Sequence, residues 1–198
     1  MAEGAAFELF WKQRYGKVPP LGYELREAFA HRWFRIHSLP GSKRYAETPE
    51  EYETMLMRHA AVADAVLGPG ETCWLSLFVA DFPDEPDLIA NDRADAATLG
   101  LTEVYVGLDH GAYRPGEDGP VPFRVFAGQT TWNAASYTGW LRAVADDDID
   151  GLIWTNAMTG AVYAPYDGGA DLIVPSAEDR VKLTRQFQFW RSDREDGL

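Results

Sequence analysis

The chain has 198 residues, 31 acidic against 18 basic side chains, and a net charge of −13 with a pI near 4.6. Hydrophobic residues at 46% and charged residues at 25% match the globular average, which excludes wholesale disorder, and the length suits one domain whose core needs no staples. So acidic a chain repels phosphate backbones and anionic lipid, so neither nucleic acid nor a membrane is an expected partner, whereas a basic protein is.

The opening "MAEGAAFELFWK" carries no basic leader and no apolar run of signal-peptide length, and no stretch reaches transmembrane length; a soluble, cytoplasmic protein of bacterial type is expected. Residues 3–14 read as a helix, because Phe7, Phe10 and Trp11 form one stripe at i, i+3 and i+4, and Pro19-Pro20 stops it. Residues 22–30 predict a second short helix with Leu25, Ala28 and Phe29 inward, after which "RWFRIHSL" runs extended. The strongest helix pattern is "TPEEYETMLMRHAAVADAVLG". Thr48 is its N-cap, Pro49 stands at N1, and Glu51 at N3 closes a capping box. Tyr52, Met55, Leu56, His59, Val62, Ala63 and Val66 make its apolar face, and Gly68 ends it.

"TCWLSLFVA" (72–80) is apolar on both faces, as a central strand should be. It holds the single cysteine, Cys73, which can close neither an internal disulfide nor a multi-cysteine zinc site and reads as a small core hydrophobe in a reducing compartment. Residues 103–108 and 123–129 predict two more strands. The stretches 81–101 and 109–122 are irregular, the first with a short helix near 92–98, and long loops in compact domains are often functional. Asn133 caps a helix that buries Tyr137, Trp140, Leu141 and Val144. "GLIWTN", "GAVYAPY" and "ADLIVP" follow as three short strands, and Ser176 caps a last helix with Leu183, Phe187 and Trp190 inward. The fold expected is α+β: a single domain with a mainly antiparallel sheet of about five to seven strands, packed by N-terminal, central and C-terminal helices. The N-terminal helices and the last helix are expected on the same face.

"YDGGADLIVPS" (166–176) reads first as a hairpin turn in which Gly168 or Gly169 supplies a positive φ, Pro175 ends the strand, and Ser176 starts the helix. The alternative is a glycine loop that admits a ligand. Together with "HRWFRIHSLPGSKRYAETPEEYETMLMRH", this stretch resembles an uncharacterised bacterial family of unknown function, with an arginine-containing strand, a Ser-Lys-Arg-Tyr loop and a Tyr-Asp-Gly-Gly turn. That resemblance implies no activity. A further analogy, to small acidic α+β bacterial immunity proteins, rests on class alone.

Three candidate sites stand out. The first is a basic island at 31–45, with His31, Arg32, Arg35, His37, Lys43 and Arg44 and no acid. Arg35, His37, Lys43 and Arg44 are the ligand-binding candidates, for an anion held at the Pro-Gly-Ser turn. Alternatively, these cations neutralise Glu47, Glu50 and Glu51 at the next helix. The second is "DDDIDG", where Asp146, Asp148 and Asp150 with Gly151 match half of a calcium loop, but Ala157 stands where the bidentate glutamate belongs, so no metal is expected. The third is an acid–base set of His37, Asp81, Asp109 and His110 near strand ends. No zinc-protease, nucleophile-elbow, phosphate-loop or dinucleotide motif is present in the sequence, and no cofactor is implied. His59 reads as a satisfied core histidine. Phe82, Asp84, Glu85, Asp87 and Phe189 are the candidates for partner contact. The function expected is a non-catalytic acidic protein-binding module, of immunity or antitoxin type. The alternative is a binder of a small-molecule or phosphate-type ligand, or a hydrolase, using residues 31–45. The oligomeric state is left open.

Overall fold

The computed structural model describes residues 3–80, 86–106, 123–192 and 194. In chain order these form α1 (Glu3–Tyr15), α2 (Gly22–Ala28), β1 (Trp33–His37), α3 (Pro49–Leu67), β2 (Thr72–Ala80), α4 (Pro86–Thr98), β3 (Thr102–Val106), β4 (Phe123–Thr131), α5 (Thr138–Ala145), β5 (Leu152–Asn156), β6 (Val162–Tyr166), β7 (Gly169–Ile173) and α6 (Ala177–Gln186). The strands make one antiparallel sheet in the order β1-β7-β6-β5-β2-β4-β3. This is the expected α+β class.

Helices cover both faces of the sheet, and this explains why β2 is apolar on both faces. Odd positions such as Leu75 and Leu77 pack with Val62, Leu141 and Trp154, while Trp74 and Phe78 pack with Phe7, Trp11 and Ile153. One face is closed by α1 and α2, the other by α3, α5 and α6. The last helix is therefore opposite the N-terminal helices, not beside them. Its Leu183 and Phe187 join the cluster built on Phe34 and Val62. The direction of the chain out of β7 decides this: Ser176 follows within three residues, and Arg180 Nε donates to Trp33 O, pinning α6 to the start of β1.

The caps form as the sequence requires. Thr48 Oγ1 accepts from Glu51 N at 3.3 Å, Asn133 Oδ1 from Ala135 N at 3.0 Å, and Ser176 Oγ from Asp179 N at 3.0 Å. The return arm of the Thr48 box goes to the N–H of Glu47, at 2.7 Å from the Glu51 carboxylate. The second helix stops at Ala28, which is exposed rather than inward; Phe29 is half-buried beneath the Arg32 guanidinium. The helix expected at 92–98 begins at Pro86. Of its described side chains only Ala96 is buried, so the apolar periodicity that marks a helix is nearly absent. Among the described residues no helix is long and apolar enough to cross a membrane.

Candidate functional site

The basic island and the Tyr-Asp-Gly-Gly turn meet at the β1 edge of the sheet. The β1–β7 register sets Arg35 directly opposite Asp171. Arg35 grips that carboxylate with one edge of its guanidinium, Nε to Oδ1 at 2.9 Å and Nη2 to Oδ2 at 3.1 Å, while lying over the Tyr166 ring at 4.7 Å. Trp33 Nε1 donates to Asp171 Oδ1 at 2.8 Å, and Arg26 stands 4.0 Å from Oδ2. Asp171 is only 4% exposed, so these donors replace its lost water. Asp167, 7% exposed, accepts from Arg44 Nε at 2.5 Å and from Tyr45 Oη at 3.0 Å. Hydrogen bonding to Asp167 raises the pKa of Arg44 and of Tyr45. Lys43 bridges Glu51 at 2.7 Å and Glu47 at 2.9 Å, and its pKa is raised chiefly by Glu51. Arg35, Lys43 and Arg44 are thus each ion-paired to carboxylates of the chain itself. Arg35 and Arg44 hold the turn, and Lys43 balances the acidic start of α3.

The two glycines serve a different purpose from the one the turn chemistry suggests. Neither Gly168 nor Gly169 has a positive φ. A Cβ on Gly169 would lie 2.1 Å from Ile36 O and 2.8 Å from the Tyr166 hydroxyl. Close approach of β1 and of the Tyr166 ring demands glycine there, not left-handed backbone. A cleft of about 280 Å³ opens beside this lock, between Arg26, Tyr166, Asp150 and Asp171.

A second cleft, of about 270 Å³, lies where the chain leaves β1, between His37, the 39–42 loop, Arg58 and residues 188–191. Arg58 of α3 forms part of its wall and is 7% exposed. Its Nη1 donates to His37 O at 3.0 Å, and its guanidinium lies 5.4 Å from the centre of the Trp190 ring. No carboxylate pairs with it among the described residues, and its Nε is buried without an acceptor. Burial lowers its pKa. His37 lines the same cleft, and its Nε2 is also buried without a partner. Its pKa is lowered, by burial first and then by Arg35 and Arg58. Phe189 stands at the mouth, 87% exposed. Gly41 and Ser42, successive residues with φ of 66° and 58°, bend the loop past it.

Arg58 was not among the residues the sequence singled out. Its position was legible: it follows Met55 by three and precedes Val62 by four, so it falls on the buried stripe of α3. The adjacent His59 is the satisfied core residue expected, between Ser38 Oγ at 2.8 Å and Tyr163 Oη at 2.7 Å, and burial, then Arg58, lowers its pKa to about 4. Burial pushes the Cys73 thiol up to about 12, as befits a packed hydrophobe.

Two aspartates of "DDDIDG" have structural partners. Asp146 accepts from the Tyr52 hydroxyl, Asp150 Oδ1 accepts from Gly151 N at 2.6 Å, and Asp148 is exposed. Among the described residues no group of three or more His, Cys, Asp or Glu could hold a metal ion. Gly151, with φ of 76°, also abuts Phe78 O, 2.7 Å from where a Cβ would sit. Asp81, Phe82, Asp84, Glu85, Asp109 and His110 lie outside the described residues, as does the side chain of Asp87 in α4.

Residues 21–195 match the model of a domain of unknown function, DUF3885. The chain belongs to that family. The DUF3885 match takes in every element from α2 to α6 and both clefts, and leaves α1 outside. Even so, α1 supplies Phe7, Trp11 and Tyr15 to the core of its face of this DUF3885 fold. No curated protein and no solved structure matches the chain.

Proposed function

We propose that this DUF3885 chain is a non-catalytic binding module that takes an oxyanion-bearing ligand in the cleft of Arg58, His37 and Trp190. One observation carries the reading: a buried guanidinium without a carboxylate among the described residues. A buried charge is costly unless it is paired, and a chain with 31 acidic residues has no shortage of counter-ions. An arginine kept unpaired on the wall of a cleft is what an incoming anion needs. Binding is favoured over hydrolysis because the His37 Nε2 holds no nucleophile, although Ser42 shares the cleft. Of the island residues, His37 remains a ligand candidate. The test is thermal melting of the full chain with sulfate, phosphate or acetate at fixed ionic strength, beside Arg58→Met. At least one oxyanion raises the Tm of the parent and none raises that of the variant. Equal responses in both proteins would sink the reading.

A second reading keeps the acidic surface as the working part: a cytoplasmic, immunity-like module that attracts a basic protein and has no affinity for nucleic acid or membrane. The net charge of −13 and the exposed run Asp146, Asp147 and Asp148 favour it. Such a partner associates faster at low salt, and neutralising Asp84, Glu85 and Asp87 together slows association more than it speeds dissociation. An association rate that is flat across salt removes it.

A further inference from the structure

We infer that the ligand of the Arg58 cleft is a carboxylate carried on a small apolar body; the inference rests on the oxyanion reading above. The protein contains its own precedent. Arg35 stacks over Tyr166 and receives the Asp171 carboxylate on its Nε and Nη2 edge. Arg58 stacks over Trp190, spends Nη1 on His37 O, and keeps the Nε and Nη2 edge without a hydrogen bond among the described residues. That edge is a planar pair of N–H donors spaced for the two oxygens of one carboxylate. A tetrahedral phosphate is better met by several converging charges. Burial, then Arg35 and Arg58, lower the pKa of His37 and so favour its neutral ring. Its Nε2 is a neutral polar atom that can serve one further oxygen or N–H according to tautomer.

The rest of the cleft is suited to carbon. Leu39 and Pro40 line it, Trp190 backs the guanidinium, and Phe189 projects from the mouth with 87% of its surface in water. An exposed ring beside a buried, unpaired cation matches a ligand with an apolar group next to its acid. At about 270 Å³ the cleft admits a small acid or one terminal residue and is too small for a nucleotide. The chemistry has two sources, a free apolar carboxylic acid or the C-terminus of a peptide ending in an apolar residue.

The experiment titrates the full chain, by calorimetry at neutral pH, with benzoate, inorganic phosphate, and one tripeptide ending in phenylalanine in free-acid and amidated forms. Arg58→Lys, Arg58→Met and Phe189→Ala are run in parallel, each first shown to be folded. Benzoate or the free-acid peptide binds and the amidated peptide does not. Arg58→Lys keeps the charge but loses the fork, and weakens binding by about tenfold or more. Phe189→Ala, at an exposed position, weakens it as well. Binding by the peptide alone assigns the source to a chain terminus, and by benzoate alone to a small molecule. Phosphate binding more tightly than either carboxylate, and lost in Arg58→Met, overturns the carboxylate inference while the oxyanion reading stands. Absence of any Arg58-dependent binding overturns both.

Discussion

The C-terminal half of β1 borders two arginine environments that differ in one respect. At the lock, Arg35 and Arg44 each have a buried aspartate; at the cleft, Arg58 is more deeply buried than either and has none among the described residues. Both environments have an aromatic ring against the guanidinium, and both draw on the same basic segment. Residue type and local sequence therefore do not separate a structural cation from a recognition cation. The count of satisfied donors does, and that count needs the fold.

The sharpest way to break the contrast is to remove the shared acid of the lock. Asp171→Ala strands Arg35 and the Trp33 indole N–H in a buried setting, and should destabilise by about 4 kcal/mol, read as the fall in urea midpoint at unchanged slope. A loss below about 1 kcal/mol would mean that water replaces the carboxylate and the lock is no lock.

Next in size is the contrast between the two histidines. His59, with both ring nitrogens partnered, has its pKa lowered to about 4 in the folded protein from the ordinary 6.5. The unfolded chain takes up this proton as pH falls below 6.5, and the folded chain does not until about 4. Stability is complete above 6.5 and falls through the window from 6.5 to 4, by roughly 3 kcal/mol from this group. Denaturation curves at several pH values should show the drop in the parent and in His37→Gln, and lose most of it in His59→Gln.

Smaller again is the effect of a methyl group at the turn. Gly169→Ala places a carbon on Ile36 O and should destabilise by about 2 kcal/mol while β1 shifts away from β7, seen as faster amide exchange at Ile36 and Ser38. Gly168→Ala, whose Cβ nears only side-chain atoms at 3.3 and 3.4 Å, should lie near zero. Equal effects at both would restore the turn-conformation account. The smallest expected change is the most telling. Arg58→Met, replacing an unpaired buried cation by an apolar chain of similar length, should alter stability by less than about 1 kcal/mol in either direction in the absence of ligand. A loss as large as that of Asp171→Ala would show that Arg58 is paired in solution and is structural after all.

Much of the architecture was legible because it depends on short-range pattern. The caps at Thr48, Asn133 and Ser176, the stripe of α3 and the doubly buried β2 are local statements that tertiary contacts had no reason to override. The face taken by α6 was not legible, since it depends on Arg180 reaching Trp33, 147 residues earlier. The extent of α4 was hidden by its few buried positions. For the site, Lys43 found acids four and eight residues on, whereas Arg35 and Arg44 found aspartates more than 120 residues away, which no spacing rule reveals. Arg58 was overlooked because a cation on an apolar stripe looks like an error in the pattern. The pattern was right, and the exception marked the site.

The place of β1 has a consequence for biosynthesis. It is an edge strand, and among the described residues β7 is its only neighbour in the sheet. Arg35 emerges from the ribosome 136 residues ahead of Asp171, an interval on the order of ten seconds at ordinary elongation rates. Throughout that interval the strand's amides and its arginine lack their native partners on β7. β1 can join the sheet only after β7 has been made, so a nascent chain stalled before β7 presents an unpaired strand to whatever it meets.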